Sequence, residues 1–208
     1  MSSRYTYNSH YEERIQQTIE SALLRHPRLS CIFTMLHFPV RGDSRQDSAV
    51  ISRFFEALKY QIRSWMVGKS ALGKRVHPTT LQYVWVREFG GITGNKHYHV
   101  LLLLNKDTFY TLGEYSAPQE GDLSLANLIQ RAWCSALNLP WYPQNASLVA
   151  FPPRLPCMHI DKHTNEQDQH QIFQRARYMA KESTKYSGDG ERSFGCSRPD
   201  PVMITPDA

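Results

Sequence analysis

The most constraining stretch of the chain covers residues 97–104, where two histidines flank a tyrosine and five apolar residues follow. Side chains alternate between the two faces of a β-strand, so His97 and His99 are expected to point the same way. The apolar run then anchors the strand in a core. Two neutral imidazoles side by side can ligate one divalent metal ion. The plain alternative is a pair of hydrogen-bonded polar groups at the end of a sheet.

The composition favours a single soluble domain in the cytoplasm. The 208 residues contain no apolar run that could span a bilayer and no N-terminal signal region, so no membrane partner is expected. Four cysteines are scattered without a C-x-x-C motif, which is typical of reduced thiols. The net charge of +5 and the pI near 9.0 lean towards a polyanionic partner.

Apolar periodicity and turn residues divide the chain into alternating helices and strands. Helices are predicted over residues 11–25, 49–67, 123–137 and 167–185, and strands over residues 30–38, 81–89, 97–104, 147–151 and 157–160. The resulting fold class is α/β (α+β), with a central, mainly antiparallel sheet that carries the His-x-His strand in its middle and helices around it. One domain is expected over residues 9–198, with a flexible arm at 1–8 and a flexible tail at 199–208.

A hairpin is predicted to bring a carboxylate to the two histidines. The strands at 81–89 and 97–104 are separated by glycine-rich turn residues, and an antiparallel pair places the end of the first strand beside the start of the second. Glu88 should therefore lie close to His97 and His99 as a third ligand. The alternative is an ordinary carboxylate at an exposed strand end.

The last predicted helix carries a second candidate group. Tyr178, Lys181 and Lys185 are spaced by three and four residues, which places them on one helical face, opposite the apolar one. A tyrosine among lysines is poor core material. Tyr186 is a rival candidate, although it has no lysine three residues after it.

These parts, in chain order, resemble the HUH endonucleases, which include rolling-circle replication initiators, relaxases and some transposases. The resemblance lies in the His-hydrophobic-His strand followed by Tyr178-x-x-Lys181, an order similar to that of initiators and tyrosine transposases. Residues 177–181, 188–190 and 192–198 are similar to the inovirus replication-protein family of phages and bacterial prophages. Relatives often carry an acidic residue in the first strand, where this chain reads Phe-Thr-Met-Leu-His at 33–37.

The resemblance implies a metal-dependent nicking and rejoining of DNA that initiates rolling-circle replication. Tyr178 would be the nucleophile that forms a 5′-phosphotyrosyl intermediate, and His97, His99 and Glu88 would hold Mg²⁺ or Mn²⁺. A phenol with a pKa of about 10 needs a nearby cation to ionise, and Lys181 can supply it. Glu182 stands where two-tyrosine members place their second tyrosine, so a single-tyrosine enzyme is expected.

Single-stranded or hairpin origin DNA is the expected partner, and recruitment of a host helicase or other replication proteins stays open. The predicted DNA contacts are basic groups of residues 59–75 together with Arg175, Arg177, Lys185 and Arg192. Two alternatives remain: a transposase of the same superfamily, and a non-catalytic DNA-binding or regulatory prophage protein. The second would fit a zinc site built from the competing cluster Cys157, His159, His163 and His170, whose spacing matches no common structural zinc pattern.

Overall fold

The computed structural model describes residues 6–40, 44–90, 94–115, 123–163, 166–182, 185 and 188–198. The helices are α1 (Ser9–Arg25), α2 (Val50–Ala71), α3 (Leu125–Leu137), the short α4 (Pro143–Ala146) and α5 (Glu166–Arg177), which continues into a 3₁₀ turn (Tyr178–Ala180). The strands are β1 (Arg28–His37), β2 (Gln82–Phe89), β3 (Lys96–Asn105), β4 (Val149–Ala150), β5 (Cys157–Asp161) and β6 (Phe194–Cys196). No helix within these ranges has the length and apolar character needed to cross a membrane.

All six strands form one antiparallel sheet, and the histidine strand lies in its middle. The order is β4-β1-β3-β2-β6, with β5 also paired to β1. The predicted hairpin is β2–β3, in which Glu88 lies opposite His97. The predicted fold class, an α+β fold around an antiparallel sheet, is thus confirmed.

The two faces of the sheet are covered by different helices. Alternate residues of β3, from Tyr98 to Leu104, enter the larger core with α2 and α3. Leu101 and Leu103 face the other way and pack with α1 and α5 in a smaller core. His97 and His99 share this second face, since they alternate with Tyr98 along the strand. The candidate metal ligands therefore lie on the side of α1 and α5.

The last helix ends earlier than the periodicity predicted. It stops at Arg177, and Lys181 forms a β-bridge with Tyr7. Backbone bonds from Asn8 N to the Ala180 carbonyl (2.9 Å) and from Glu182 N to the Thr6 carbonyl (3.0 Å) accompany this bridge. The prediction of a helix to residue 185 is therefore wrong, because an extended pairing with residues 6–8 takes the place of the last helical turns.

A sixth strand lies in a segment for which the sequence predicted no helix or strand. β6 pairs with the outer edge of β2, and Gly195 lies opposite Trp85. A β-carbon at Gly195 would come within 2.6 Å of the Trp85 indole, so only glycine fits there. Residues 1–5 of the predicted arm and the predicted tail at 199–208 lie outside the described residues.

Candidate active site

The register of the sheet places three ionisable side chains in a row. His97 on β3 lies opposite Glu88 on β2 and opposite His37 on β1. Directly paired residues of antiparallel strands project to the same face. His99, two residues along β3, also lies on this face. The hairpin prediction is confirmed in its geometry, because Glu88 reaches both histidines.

The ligand atoms of Glu88, His97 and His99 converge on one point. The Nε2 atoms of the two histidines lie 3.2 Å apart, and His99 Nε2 lies 3.4 Å from Glu88 Oε2. All three ligand atoms are within 4.8 Å of one another. Two imidazole nitrogens, each about 2.1 Å from a shared ion and about 100° apart, would be separated by about 3.2 Å. The spacing therefore fits coordination of one ion.

The tautomer of His97 is set by the backbone. Its Nδ1 lies 3.2 Å from the Asn95 carbonyl oxygen, which can only accept a hydrogen bond. A proton on Nδ1 leaves Nε2 with its lone pair directed towards His99. Ligating histidines commonly donate their second N–H to a carbonyl in this way.

Burial disfavours the charged form of the neighbouring imidazoles. It is the largest influence on His99 and lowers its pKa, against the opposing effect of the Glu88 carboxylate. The pKa of His37 is also lowered, first by burial and then by His97, whose ring centre lies 5.6 Å away. Neutral imidazole is the form that binds a metal ion.

Lys185 has a place that the sequence did not predict. Its side chain is only 8% exposed, and its Nζ lies 3.4 Å from Glu88 Oε1. The ammonium also donates to the Lys181 carbonyl oxygen. Burial lowers the pKa of Lys185, partly offset by Glu88. One oxygen of Glu88 thus faces the lysine and the other faces His99, which fixes the orientation of the carboxylate.

Tyr178 lies at the start of the 3₁₀ turn, and its side chain is 47% exposed. The Nζ of Lys181 is 5.2 Å from the centre of its ring. Lys181 itself is 7% exposed and follows the helix, so the expectation that it lies on a polar helical face opposite the apolar one is wrong. The contacts of Lys185 with Lys181 and Glu88 connect the tyrosine segment to the histidines. Tyr186, the rival tyrosine, lies outside the described residues.

Two of the predicted DNA-contacting arginines bind groups of the protein. Arg175 donates to the carbonyls of Leu155 and Arg154, and its guanidinium lies 4.2 Å from the centre of the Phe33 ring. Arg177 forms an ion pair with Glu12 of α1. Arg192, in contrast, is exposed. Contact of any of these three with DNA stays a prediction.

A buried arginine next to Glu88 escaped the sequence reasoning. Arg87 is 1% exposed and binds Asp189 through two hydrogen bonds of 2.6 and 2.8 Å, and Glu191 at 2.8 Å. These bonds hold the segment after Lys185 against β2. The only available signal was the pair of acidic residues that flank Gly190.

The competing zinc cluster is not assembled. His159 Nε2 lies 2.7 Å from the Tyr110 carbonyl oxygen, so this nitrogen is a hydrogen-bond donor and not a metal ligand. Its distance to Cys157 Sγ is 3.7 Å. Across the described ranges, Glu88, His97 and His99 are the only group of three residues with metal-ligating atoms so close together.

Comparison with known proteins gives the family. Residues 1–197 match the model of the YagK/YfjJ C-terminal domain. The chain is 36% identical over 203 residues to the uncharacterized protein YfjJ of Escherichia coli (strain K12), with 90% of this chain and 93% of YfjJ covered. It is 33% identical over 200 residues to the uncharacterized protein YagK of the same strain, with 90% and 92% covered. No solved structure gives a significant match. The chain therefore belongs to the YagK/YfjJ C-terminal domain family.

Proposed function

We propose that this protein is a metal-dependent, single-tyrosine DNA nickase and strand transferase of the HUH type. The observation that carries the proposal is the convergence of the Nε2 atoms of His97 and His99, 3.2 Å apart, on the carboxylate of Glu88. This is the ligand set that the resemblance implies, and it lies on one face of the central sheet. Tyr178 is joined to it through Lys181 and Lys185.

The donor set fits a divalent ion of intermediate softness. Two imidazoles and one carboxylate suit Mn²⁺ at least as well as Mg²⁺, which prefers oxygen ligands. A bound ion would act as a Lewis acid on a phosphate oxygen and as a template for the DNA backbone. Glu88, oriented by Lys185 on its other oxygen, would ligate through Oε2.

Tyr178 performs the transfer in this proposal. Its Oη attacks the phosphorus of a phosphodiester, the P–O bond to Tyr178 forms, and the bond to the 3′-oxygen breaks. The phenolic proton is lost to solvent, and the departing 3′-oxygen gains one to become a hydroxyl. The ammonium of Lys181, near the phenol ring, favours the phenolate and steadies the added negative charge.

The covalent 5′-phosphotyrosyl linkage conserves the phosphoester bond, so the step is reversible and the same site can rejoin ends. The free 3′-hydroxyl can prime synthesis. We infer that the protein initiates rolling-circle replication of a phage, prophage or plasmid-like element in the cytoplasm of a bacterial host. Single-stranded or hairpin origin DNA would be the substrate.

The test is covalent capture of DNA. The protein is incubated with Mn²⁺ and random-sequence single-stranded oligonucleotides, denatured, and analysed by mass spectrometry for peptides that carry a phosphodiester-linked nucleotide. Captured DNA is sequenced. The matched control is Tyr142→Phe, which removes the hydroxyl of an exposed tyrosine just before α4.

An adduct on the Tyr178 peptide that disappears in Tyr178→Phe and persists in Tyr142→Phe supports the proposal. An adduct on Tyr186, or one that survives Tyr178→Phe, would overturn the assignment of the nucleophile. Complete absence of adducts with Mn²⁺ and with Mg²⁺ would overturn the catalytic proposal and favour a non-catalytic DNA-binding module. The sequences captured distinguish an origin from the ends of a transposable element.

A further inference from the structure

The positive charge of the chain is concentrated in one continuous segment. The chain has 24 Lys or Arg and 19 Asp or Glu; six of the former and none of the latter fall in residues 57–87. The remainder of the chain is therefore close to neutral. Of the six cations, only Arg87 is buried among acidic partners. The other five belong to α2 and the residues that follow it: Lys59, Arg63, Lys69, Lys74 and Arg75.

This basic surface is remote from the candidate active site. α2 packs on the face of the sheet opposite to His97 and His99. Its groove with residues 79–81 ends at Leu81, beside the first residue of β2. Glu88 lies near the other end of that strand, about 20 Å away at 3.3 Å per residue. The sequence-based prediction that basic groups of residues 59–75 contact DNA would therefore place that DNA on the face of the sheet opposite to the candidate metal ligands.

The cations are mostly available to a ligand. Arg63, Lys74 and Arg75 are exposed, and no carboxylate within the described ranges forms an ion pair with them. Lys59 is bound to Glu56 at 2.8 Å. Asp107, which lines a pocket with Lys74 and Arg75, is bound to Arg28. Cations near residue 71 are explained by their favourable interaction with the carbonyl groups at the C-terminal end of α2. Arg63 lies two turns before that end, so this interaction does not explain it.

Trp65, in the second half of α2, is not available to stack on a base. The Trp65 indole donates to the Leu123 carbonyl oxygen at 3.0 Å and packs on Phe109 at 4.8 Å between ring centres. Its ring is therefore part of the fold. What the surface offers is a set of cations on a rigid helix, which suits the regular phosphates of a duplex and carries no sequence information.

We propose that α2 and residues 72–75 form a second DNA site, which binds the phosphate backbone of double-stranded DNA beside the nicked strand. This inference rests on the proposed function for the identity of the polyanion. The site would hold the duplex that flanks the origin on the opposite face from Tyr178, and would raise affinity without altering the choice of the nicked sequence.

The test measures binding of the full chain to a short random-sequence duplex in the absence of divalent metal, as a function of salt. The variant is Arg63→Gln/Lys74→Gln. The matched control is Arg45→Gln/Lys162→Gln, which removes the same charge from exposed positions elsewhere. Each lost phosphate contact is expected to reduce the slope of log K against log salt by about 1, and the double variant to bind at least about tenfold more weakly at low salt.

This inference would be overturned if the slope of log K against log salt were unchanged in the double variant, or if the control lost as much duplex affinity. The inference would also be overturned if the same residues bound single-stranded DNA or anionic phospholipid vesicles more tightly than the duplex. The outcomes are separable from those of the nicking proposal. If Tyr178 forms no adduct but duplex binding depends on Arg63 and Lys74, only the nicking proposal fails; if the adduct forms and duplex binding is unaffected, only the second site fails.

Discussion

The two faces of the central strand β3 share one backbone but have different roles. Tyr98, Val100 and Leu102 enter a large core under α2 and α3, in which β3 contributes only apolar or aromatic groups. On the other face, Leu101 and Leu103 reach a smaller core, whereas His97 and His99, at the start of the strand, lie beside Glu88. Alternation along a strand lets one face stabilise the fold while the other presents ionisable groups.

The difference shows how a polar site can be accommodated with little loss of folding stability. His97 and His99 are only partly buried on this face, and each ligand has a partner in Asn95, Lys185 or a neighbouring histidine. A face packed like that of α2 and α3 would have to desolvate them fully. Substitutions on the two faces should therefore separate stability from metal binding.

The largest effects are expected from a matched pair on β3. Leu102→Ala removes a fully buried side chain and should cost about 2–5 kcal/mol of unfolding free energy with Mn²⁺ affinity unchanged. His99→Ala should weaken Mn²⁺ binding by more than about 100-fold and change stability by less than about 1 kcal/mol. Denaturant titration and calorimetric metal titration measure the two quantities. Similar losses of unfolding free energy in both variants would contradict the separation of roles between the two faces of β3.

The buried Arg87 gives the next largest effect. Asp189→Asn/Glu191→Gln leaves its charge inside the protein without carboxylate partners, whereas Arg87→Met removes the charge itself. A buried charge that has lost its counterions destabilises a protein more than replacement of the charged residue by an apolar one. The double variant should therefore have the lower melting temperature. Thermal unfolding of both proteins checks the order. The reverse order would show that Arg87 is solvated when its partners are absent.

A smaller loss is expected at the edge of the sheet. Gly195→Ala places a methyl group 2.6 Å from the Trp85 indole and should cost about 1–3 kcal/mol by forcing the ring or β6 to move. Gly68→Ala is the control, since nothing lies within 4 Å of a β-carbon there. Chemical denaturation of both variants checks this, and equal stabilities would contradict the close packing of β6 on β2.

The smallest effect concerns pH, at the end of α1 far from the histidine pair. His26 Nε2 accepts a hydrogen bond from Thr80 N–H at 3.0 Å, which requires the neutral ring. Burial, followed by the charge of Arg25, lowers the pKa of His26 below its ordinary value of about 6.5. The stability it contributes is present above pH 6.5 and lost as pH falls below it, because the unfolded chain then binds the proton more readily.

His26→Gln keeps an acceptor without a titrating group. The fall in melting temperature between pH 7 and pH 5 should be smaller in this variant than in the parent protein. An identical pH dependence would show that His26 does not titrate differently on unfolding.

Local features of the sequence were sufficient for the histidine face. The period of two in residues 97–104 and the glycine-rich turn before them fixed both the direction of the imidazoles and the arrival of Glu88, because all of these lie within one hairpin. The boundary of α5 could not be predicted in this way. Its apolar stripe continues through Met179 and Ala180, but the backbone there pairs with residues 6–8, from the other end of the chain.

The remaining features depend on contacts between distant segments. Arg87 and Asp189 are 102 residues apart, and Lys185 and Glu88 are 97 apart. No periodicity reports such pairs. The burial of Lys185 and Lys181 is a consequence of the same long-range folding, which is why a pattern typical of a solvated lysine face was misleading.

Binding of Mn²⁺ to the full chain, followed by electron paramagnetic resonance of the free ion, tests the metal centre most directly and needs no knowledge of the DNA sequence. One tightly bound ion per chain is expected, with the affinity lost in His97→Ala and His99→Ala and retained in Tyr178→Phe. Unchanged Mn²⁺ binding in both histidine variants would contradict a metal centre at Glu88, His97 and His99.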